Sequence, residues 1–148
     1  MKKYELTEET VTVYGKTLYR IRAVRDFGSV KTGEFGGYIE KEENLSHFGN
    51  AWIYGDARVF GNAWVYGDAR VSENAWVYGD ARVSGDARVY GDARVSENAW
   101  VSGDARVSGD ARVFDNAWVY GNAEVFNTRH FFVQGPIGSR DGYVPHQP

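Results

Sequence analysis

Three histidines, His47, His130 and His146, carry the side chain best suited to moving a proton near neutral pH. His130 opens a strand-like segment near the C-terminus and is the first candidate for a general base, with His47 second. No histidine occurs from Phe48 to Arg129, so the central part of the chain offers no base of this type. For both candidates the alternative is a structural role, and His146 lies in a tail.

Three arginines spaced eighteen residues apart are candidates for binding an anion: Arg70, Arg88 and Arg106. A guanidinium binds a carboxylate or phosphate with two parallel hydrogen bonds. An Asp stands two residues before each arginine, so the alternative is a solvated face of neutralising ion pairs.

Tryptophan recurs at the same eighteen-residue spacing in a second set, Trp64, Arg82, Trp100 and Trp118, which we call the tryptophan face. Three interpretations stay open. The indoles could cover a flat sheet and stack on Arg82, form a self-association contact, or stack on a sugar or a base.

A phosphate-binding loop and a metal site are two further types of site that a sequence could encode. Residues 135–142, GPIGSRDG, could cradle a phosphate with backbone amides, but they lack the Walker spacing and lysine, which favours an ordinary loop. No metal-ligand spacing occurs, so no metal site is predicted.

A hexapeptide repeat positions these residues, as in VYGDARVSGDARVYGDARVSENAW at 77–100. An aliphatic anchor recurs every six residues from Ile53 to Val125, and an alanine stands two places before each anchor. Inward residues at alternate positions indicate a three-residue strand, followed by a turn. Such units bury their apolar side only by stacking. The sequence therefore predicts a β-solenoid with three units per coil and about four coils.

The turns contain Gly, Asp and Asn, which tolerate a positive φ. Where glycine is replaced, at Glu73, Glu97 and Asp115, the next residue is Asn. This pattern predicts that the Asp or Asn position adopts the left-handed conformation.

A second regularity links the turn to the outward residue. Asp is followed two places later by Arg, as in Asp80-Ala81-Arg82, and Asn is followed by Trp, except in Asn122-Ala123-Glu124. This favours Asp–Arg ion pairs along the faces. Duplication of two sequence cassettes is the alternative.

The ends of the chain differ from the repeats, and we predict three regions: a β cap at 1–44, the solenoid at 45–127, and a strand with a tail at 128–148. Residues 10–24 predict a β-hairpin that covers the exposed edge of the first coil. In the lead-in segment, Leu45 falls in the alanine register and His47 in the anchor register.

The composition fits one folded domain, since 43% of the 148 residues are hydrophobic. A net charge of −3 gives no basic field, so neither nucleic acid nor an anionic membrane is an expected partner. With no cysteine, no signal-type segment and no spanning apolar stretch, we expect a cytoplasmic protein.

The repeats from 45 to 127 resemble those of the hexapeptide-repeat proteins, whose aliphatic residue followed four places later by a small residue matches Val59 and Ala63. The segments YRIRAVRDFG, GEFGGYIE and GPIGSRDG are similar to a branch of bacterial and phage hexapeptide proteins named as acyltransferases. The resemblance implies an all-β, left-handed parallel β-helix of triangular section, and a homotrimer packed around a three-fold axis.

In acyltransferases of this family a histidine acts as general base near a subunit cleft, and acyl-CoA or acyl-carrier protein donates the acyl group. The missing histidines favour a non-catalytic solenoid that self-associates as a structural or interaction module, with no cofactor. The alternatives are an acyltransferase that uses acyl-CoA, and a phage or host protein that binds a small anionic or planar ligand. The sequence names neither a small molecule nor a protein partner.

Overall fold

A computed structural model describes residues 2–126 and the backbone of 136–137. Three longer strands come first, β1 (Tyr4–Val13), β2 (Lys16–Ala23) and β3 (Phe35–Ile39), followed by one 3-10 turn at Glu42–Asn44. Two-residue strands then recur every six residues: β4 (Trp52–Ile53), β5 (Arg58–Val59), β6 (Trp64–Val65), β7 (Arg70–Val71), β8 (Trp76–Val77), β9 (Arg82–Val83), β10 (Arg88–Val89), β11 (Arg94–Val95), β12 (Trp100–Val101), β13 (Arg106–Val107), β14 (Arg112–Val113), β15 (Trp118–Val119), β16 (Glu124–Val125) and, later, β17 (Pro136–Ile137).

The short strands stack into three parallel sheets, as the repeat predicts. Their orders are β4-β7-β10-β13-β16, β5-β8-β11-β14 and β6-β9-β12-β15-β17. Each strand pairs with the one eighteen residues away, so Val89 lies opposite Val71 and Val107. The stack has about five coils, one more than predicted, because β3 and Leu45 add rungs ahead of Ile53.

The interior is a column of alanine and aliphatic side chains, and the anchors from Ile53 to Val125 are all fully buried. Every anchor contacts the equivalent residue of the neighbouring coil, because the register repeats without a break. Burial of these side chains between coils is therefore the main favourable term for the solenoid.

The prediction for the turns is wrong by one residue. The left-handed residue precedes Asp or Asn, with φ of 61° at Glu73, 60° at Glu97 and 58° at Asp115. Glu73 Oε1 accepts a hydrogen bond of 2.8 Å from the Gly91 N–H, and Glu97 Oε1 accepts one of 2.8 Å from the Asp115 N–H. These glutamates tolerate the strained φ because each carboxylate satisfies a backbone donor of the next coil.

The prediction for the first rung is also wrong. Leu45, and not His47, occupies the anchor register, because Leu45 bridges to Val65 and the Ser46 N–H donates to the Val65 carbonyl. Ile39 pairs with Val59 in the same register, six residues earlier. The turn between Leu45 and Ile53 is thus two residues longer than a regular one, which places His47 outside the core.

The predicted hairpin is present, and β1 and β2 pair antiparallel around Tyr14 (φ 51°) and Gly15 (φ 77°). Strand β3 links the two parts, since it is antiparallel to β2 and parallel to β5. Tyr14 at the hairpin tip packs against Phe60 and Trp76, at 6.1 and 5.7 Å between ring centroids. The cap therefore extends one sheet of the solenoid and lies along its side.

Lys3 is fully buried under the cap, where its Nζ donates to the carbonyl of Ala51 at 2.7 Å and lies 4.8 Å from the centroid of the Phe27 ring. Burial, with a smaller contribution from Arg25, lowers the pKa of Lys3 to about 8. Burial also raises the pKa of Tyr4, whose hydroxyl donates to the Leu45 carbonyl at 2.6 Å.

These shifts predict how the free energy of unfolding depends on pH. Below pH 8 Lys3 is charged in both states, and the fold bears the full cost of the buried charge. Above this pH the folded chain releases the proton first, so we expect stability to rise between about pH 8 and 10. Above about pH 10, ionisation of Tyr4 in the unfolded chain lowers the free energy of unfolding again, because the pKa of Tyr4 is raised in the folded chain. Urea unfolding across this range should show the rise, and Lys3→Met should remove it; an equal rise in that variant would contradict the assignment.

Candidate functional site

His47 is held in place through both ring nitrogens. Nδ1 accepts a hydrogen bond of 3.0 Å from the Lys3 backbone N–H, so the proton is assigned to Nε2, which donates to Glu42 Oε1 at 2.9 Å. The ring stacks on Tyr4, with 4.1 Å between centroids. Hydrogen bonds from His47 and Lys2 lower the pKa of Glu42.

This geometry bears directly on catalysis, because a general base needs a free lone pair aimed at the substrate. In His47 the one lone pair is already used by Lys3, and the N–H is used by Glu42. The side chain therefore fixes the lead-in turn to the cap. His130, His146 and the side chains of 135–142 lie outside the residues that the structure describes.

The tryptophan face is assembled as the spacing predicts, with Trp100 directly opposite Arg82 on one side and Trp118 on the other. Trp100 and Trp118 stack with 5.4 Å between centroids and an interplanar angle of 11°. The ends of the column are exposed, 41% for Trp64 and 39% for Trp118. Partly exposed indoles therefore line this side of the solenoid, with the exposed Arg82 between Trp64 and Trp100.

Sequence reasoning missed the residues that hold these indoles flat. Trp100 Nε1 donates to Ser84 Oγ at 3.0 Å, and Trp118 Nε1 donates to Ser102 Oγ at 3.1 Å. In both pairs the serine stands sixteen residues before the tryptophan. It is the first turn residue of the preceding coil, two places after the residue that lies opposite the tryptophan. A hydroxyl at that spacing before a tryptophan is the signal that could have found them.

Tyrosines extend the tryptophan face at its ends. The Tyr66 ring lies 4.0 Å from that of Trp64, and the Tyr120 ring lies 4.6 Å from that of Trp118. Among the described residues Arg82 makes no cation–π contact with Trp64, contrary to one of the interpretations of this face.

Arg70, Arg88 and Arg106, the arginine column, lie directly opposite one another on β7, β10 and β13. All three side chains are exposed. Trp52 precedes them in the same outward register on β4, but it is fully buried because Phe27 and Tyr4 of the cap cover it. The arginine column is thus the accessible part of this face.

The expected ion-pair ladders are absent: within residues 51–126, no ion pair joins an Asp to the arginine two places later. Asp56 pairs with Arg20 of the cap instead, at 3.3 Å. On the face of β5, β8, β11 and β14, the Trp76 ring lies between Arg58 and Arg94, at 5.6 and 4.4 Å from its centroid. Two arginines thus use an aromatic ring where a carboxylate was expected.

The described part of the chain offers neither a candidate metal site nor a candidate membrane-spanning helix. No group of His, Asp or Glu side chains there could hold a metal ion. No helix there is long or apolar enough to cross a membrane.

Comparison with known proteins identifies the repeats. Five segments match a family model described as "YdcK Beta solenoid repeat", at residues 51–67, 63–79, 75–89, 87–103 and 105–121. A protein of Escherichia coli (strain K12) named "Uncharacterized acetyltransferase YdcK" is 39% identical over 62 residues. The matched stretch covers 36% of this chain and 19% of that protein, so the chain spans about a fifth of the length of this relative.

Proposed function

Because the chain is a hexapeptide-repeat β-solenoid related to a protein named as an acetyltransferase, we propose that it acts as a non-catalytic structural or interaction module. The module self-associates through the tryptophan face. The proposal is carried by one observation, the stacked indoles of Trp100 and Trp118 on neighbouring coils, which are held flat and left partly exposed.

A flat apolar surface of this kind is typical of a protein contact. Three tryptophans bury a large area when a second copy covers them, and aromatic residues dominate the energy of such interfaces. The serine hydrogen bonds fix the indole rotamers before association, which lowers the entropic cost of binding. We expect a homotrimer, the assembly that the family resemblance implies.

The histidine geometry supports the absence of catalysis. His47 has neither a free lone pair nor a free N–H. The repeats from 51 to 126 contain no histidine that could take its place.

Replacing two indoles tests the contact. We expect Trp100→Ala with Trp118→Ala to convert the assembly to a monomer while the β-type circular dichroism is retained. Analytical ultracentrifugation gives the mass. Arg88→Ala with Arg106→Ala removes two long side chains from neighbouring coils of another face and is the matched control. An unchanged mass in the tryptophan variant, or dissociation of the control, would contradict the proposal.

An acyltransferase that uses acyl-CoA is the second candidate, favoured by the name of the E. coli relative. His130 would then be the general base, since His47 is engaged. Acetyl transfer that His130→Ala abolishes would support this candidate over the first.

A further inference from the structure

The arginines of the arginine column lie opposite one another across the sheet, and Glu124 is the next residue in line after Arg106. Cross-strand neighbours in a parallel sheet are about 4.8 Å apart, so Arg70, Arg88 and Arg106 present one cation about every 5 Å along the solenoid. No ion pair, side-chain hydrogen bond or ring contact of these three side chains occurs within residues 2–126. Like charges placed directly opposite one another repel. An anionic ligand would relieve that repulsion.

A groove runs along each side of the column. The first, of about 480 Å³, is lined on its far side by Asp68, Asp86 and Asp104. The second, of about 530 Å³, is lined by Tyr54, Ser72, Glu73 and Tyr90, and the Glu73 carboxylate accepts a hydrogen bond from the Gly91 N–H. Ser29, from the tight turn of the cap between Phe27 and Val30, lies at one end of both.

The Asp residues repeat at the same interval as the arginines, and they remain available. Asp68 accepts a hydrogen bond of 3.2 Å from the Asn50 N–H, whereas the carboxylates of Asp86 and Asp104 have no partner among the described residues. The surface therefore alternates a row of cationic donors with a row of anionic acceptors.

The alternation of arginine and aspartate rows limits which ligands could bind this surface. A densely charged chain, such as a nucleic acid or a polyphosphate, would gain from the arginines but be repelled by the aspartates. A ligand with one carboxylate and several hydroxyls per repeat would satisfy both rows, because its hydroxyls donate to aspartate while its carboxylates accept from arginine. Tyrosine rings in the second groove offer flat surfaces for the C–H faces of a sugar.

We propose that the arginine column and its two grooves bind a linear polysaccharide that contains uronic acid, with its chain lying along the solenoid axis. Each arginine binds a sugar carboxylate, and each free aspartate accepts a hydrogen bond from a sugar hydroxyl. The net charge of −3 agrees with a ligand recognised by local pairing rather than by a broad basic field. The proposal does not depend on association through the tryptophan face, since the two surfaces lie on different sheets.

The test uses the full chain and three probes: polygalacturonate, alginate and hyaluronan. Affinity is measured by isothermal titration calorimetry at two salt concentrations. The neutral comparison is methyl-esterified polygalacturonate, and single-stranded DNA and inorganic polyphosphate represent dense polyanions. We expect at least one uronate polymer to bind more tightly than all of these comparison polymers, and to bind less tightly at high salt.

Variants then locate the site. Arg88→Gln should weaken uronate binding at least tenfold, whereas Arg112→Gln, which changes an exposed arginine on another sheet, should have no effect. Asp86→Asn is the variant that best distinguishes a uronate ligand from a simple polyanion. It should weaken binding several-fold if the carboxylate accepts a sugar hydroxyl, but it should strengthen binding of a simple polyanion.

The proposal is overturned if none of the three uronates binds, or if the esterified polymer binds equally well. It is also overturned if DNA or polyphosphate binds more tightly than the uronates, if Arg88→Gln has no more effect than Arg112→Gln, or if Asp86→Asn strengthens uronate binding. A retained circular dichroism spectrum in each variant ensures that a loss of binding reflects the site.

Discussion

Val89→Asp should prevent the solenoid from folding. Val89 is fully buried in the middle of the stack, with Val71 and Val107 on either side. A carboxylate there would lose its hydration with no donor or cation in reach, a cost of several kcal/mol, comparable with the whole stability of a domain. We expect loss of β-type circular dichroism and of a cooperative thermal transition.

Arg88→Asp is the matched control, because it places the same side chain one residue earlier on the outer surface. There the carboxylate would lie between Arg70 and Arg106, which favours it. A folded Val89→Asp protein with a cooperative melt would contradict the inward assignment of the valine column, as would unfolding of the control.

Replacing the two glycines of β3 together should have the next largest effect on stability. A Cβ added at Gly36 would lie 2.5 Å from the Ile53 carbonyl oxygen and 2.7 Å from Trp52 Cζ2. A Cβ at Gly37 would lie 2.5 Å from the Ala57 carbonyl oxygen. Because these contacts involve backbone, the cap must move away from the first coil, at a cost of about 1–3 kcal/mol for each substitution.

Gly36→Ala with Gly37→Ala should therefore lower the midpoint of urea unfolding and increase the hydrogen exchange of Trp52 and its neighbours. Phe35→Ala, at the exposed neighbouring position of the same strand, is the control and should change stability little. If the double variant is as stable as the control, close docking of β3 on the first coil is not required.

The regular part of the fold could be predicted from the sequence because one short unit is repeated. An error in one repeat would have been contradicted by the others, so the anchors from Ile53 to Val125 and the stacking of Trp100 on Trp118 were assigned correctly. The turn assignment failed at Glu73, because the poor tolerance of glutamate for a positive φ is outweighed there by the hydrogen bond that its carboxylate accepts from the next coil.

The cap and the first rung could not be read in the same way, since their contacts join distant parts of the chain. His47 follows the six-residue count back from Ile53 into the core, yet two extra residues between Leu45 and Ile53 place Leu45 in the anchor register instead. Trp52 has the sequence surroundings of an exposed tryptophan, but Phe27 of the cap packs across it. Both outcomes depend on tertiary contacts that no local pattern encodes.

In the candidate sites, too, the repeat predicts position but not the surrounding contacts. Spacing alone placed the arginine column and the tryptophan face, because the members of each recur every eighteen positions and lie opposite one another on neighbouring coils. The chemistry of each depends on neighbours that come from other coils or from the cap. The Ser84 hydroxyl beneath Trp100 is one such neighbour, and the second hydrogen bond of His47 is another.

Native mass spectrometry of the purified protein, alone and with acetyl-CoA, tests the central claim most directly. A self-associating, non-catalytic solenoid should appear as a trimer at micromolar concentration, dissociate when Trp100 and Trp118 are both replaced by Ala, and show no adduct with acetyl-CoA. A wild-type monomer, or a stoichiometric acetyl-CoA adduct, would contradict it, and the adduct would make His130 the first residue to replace.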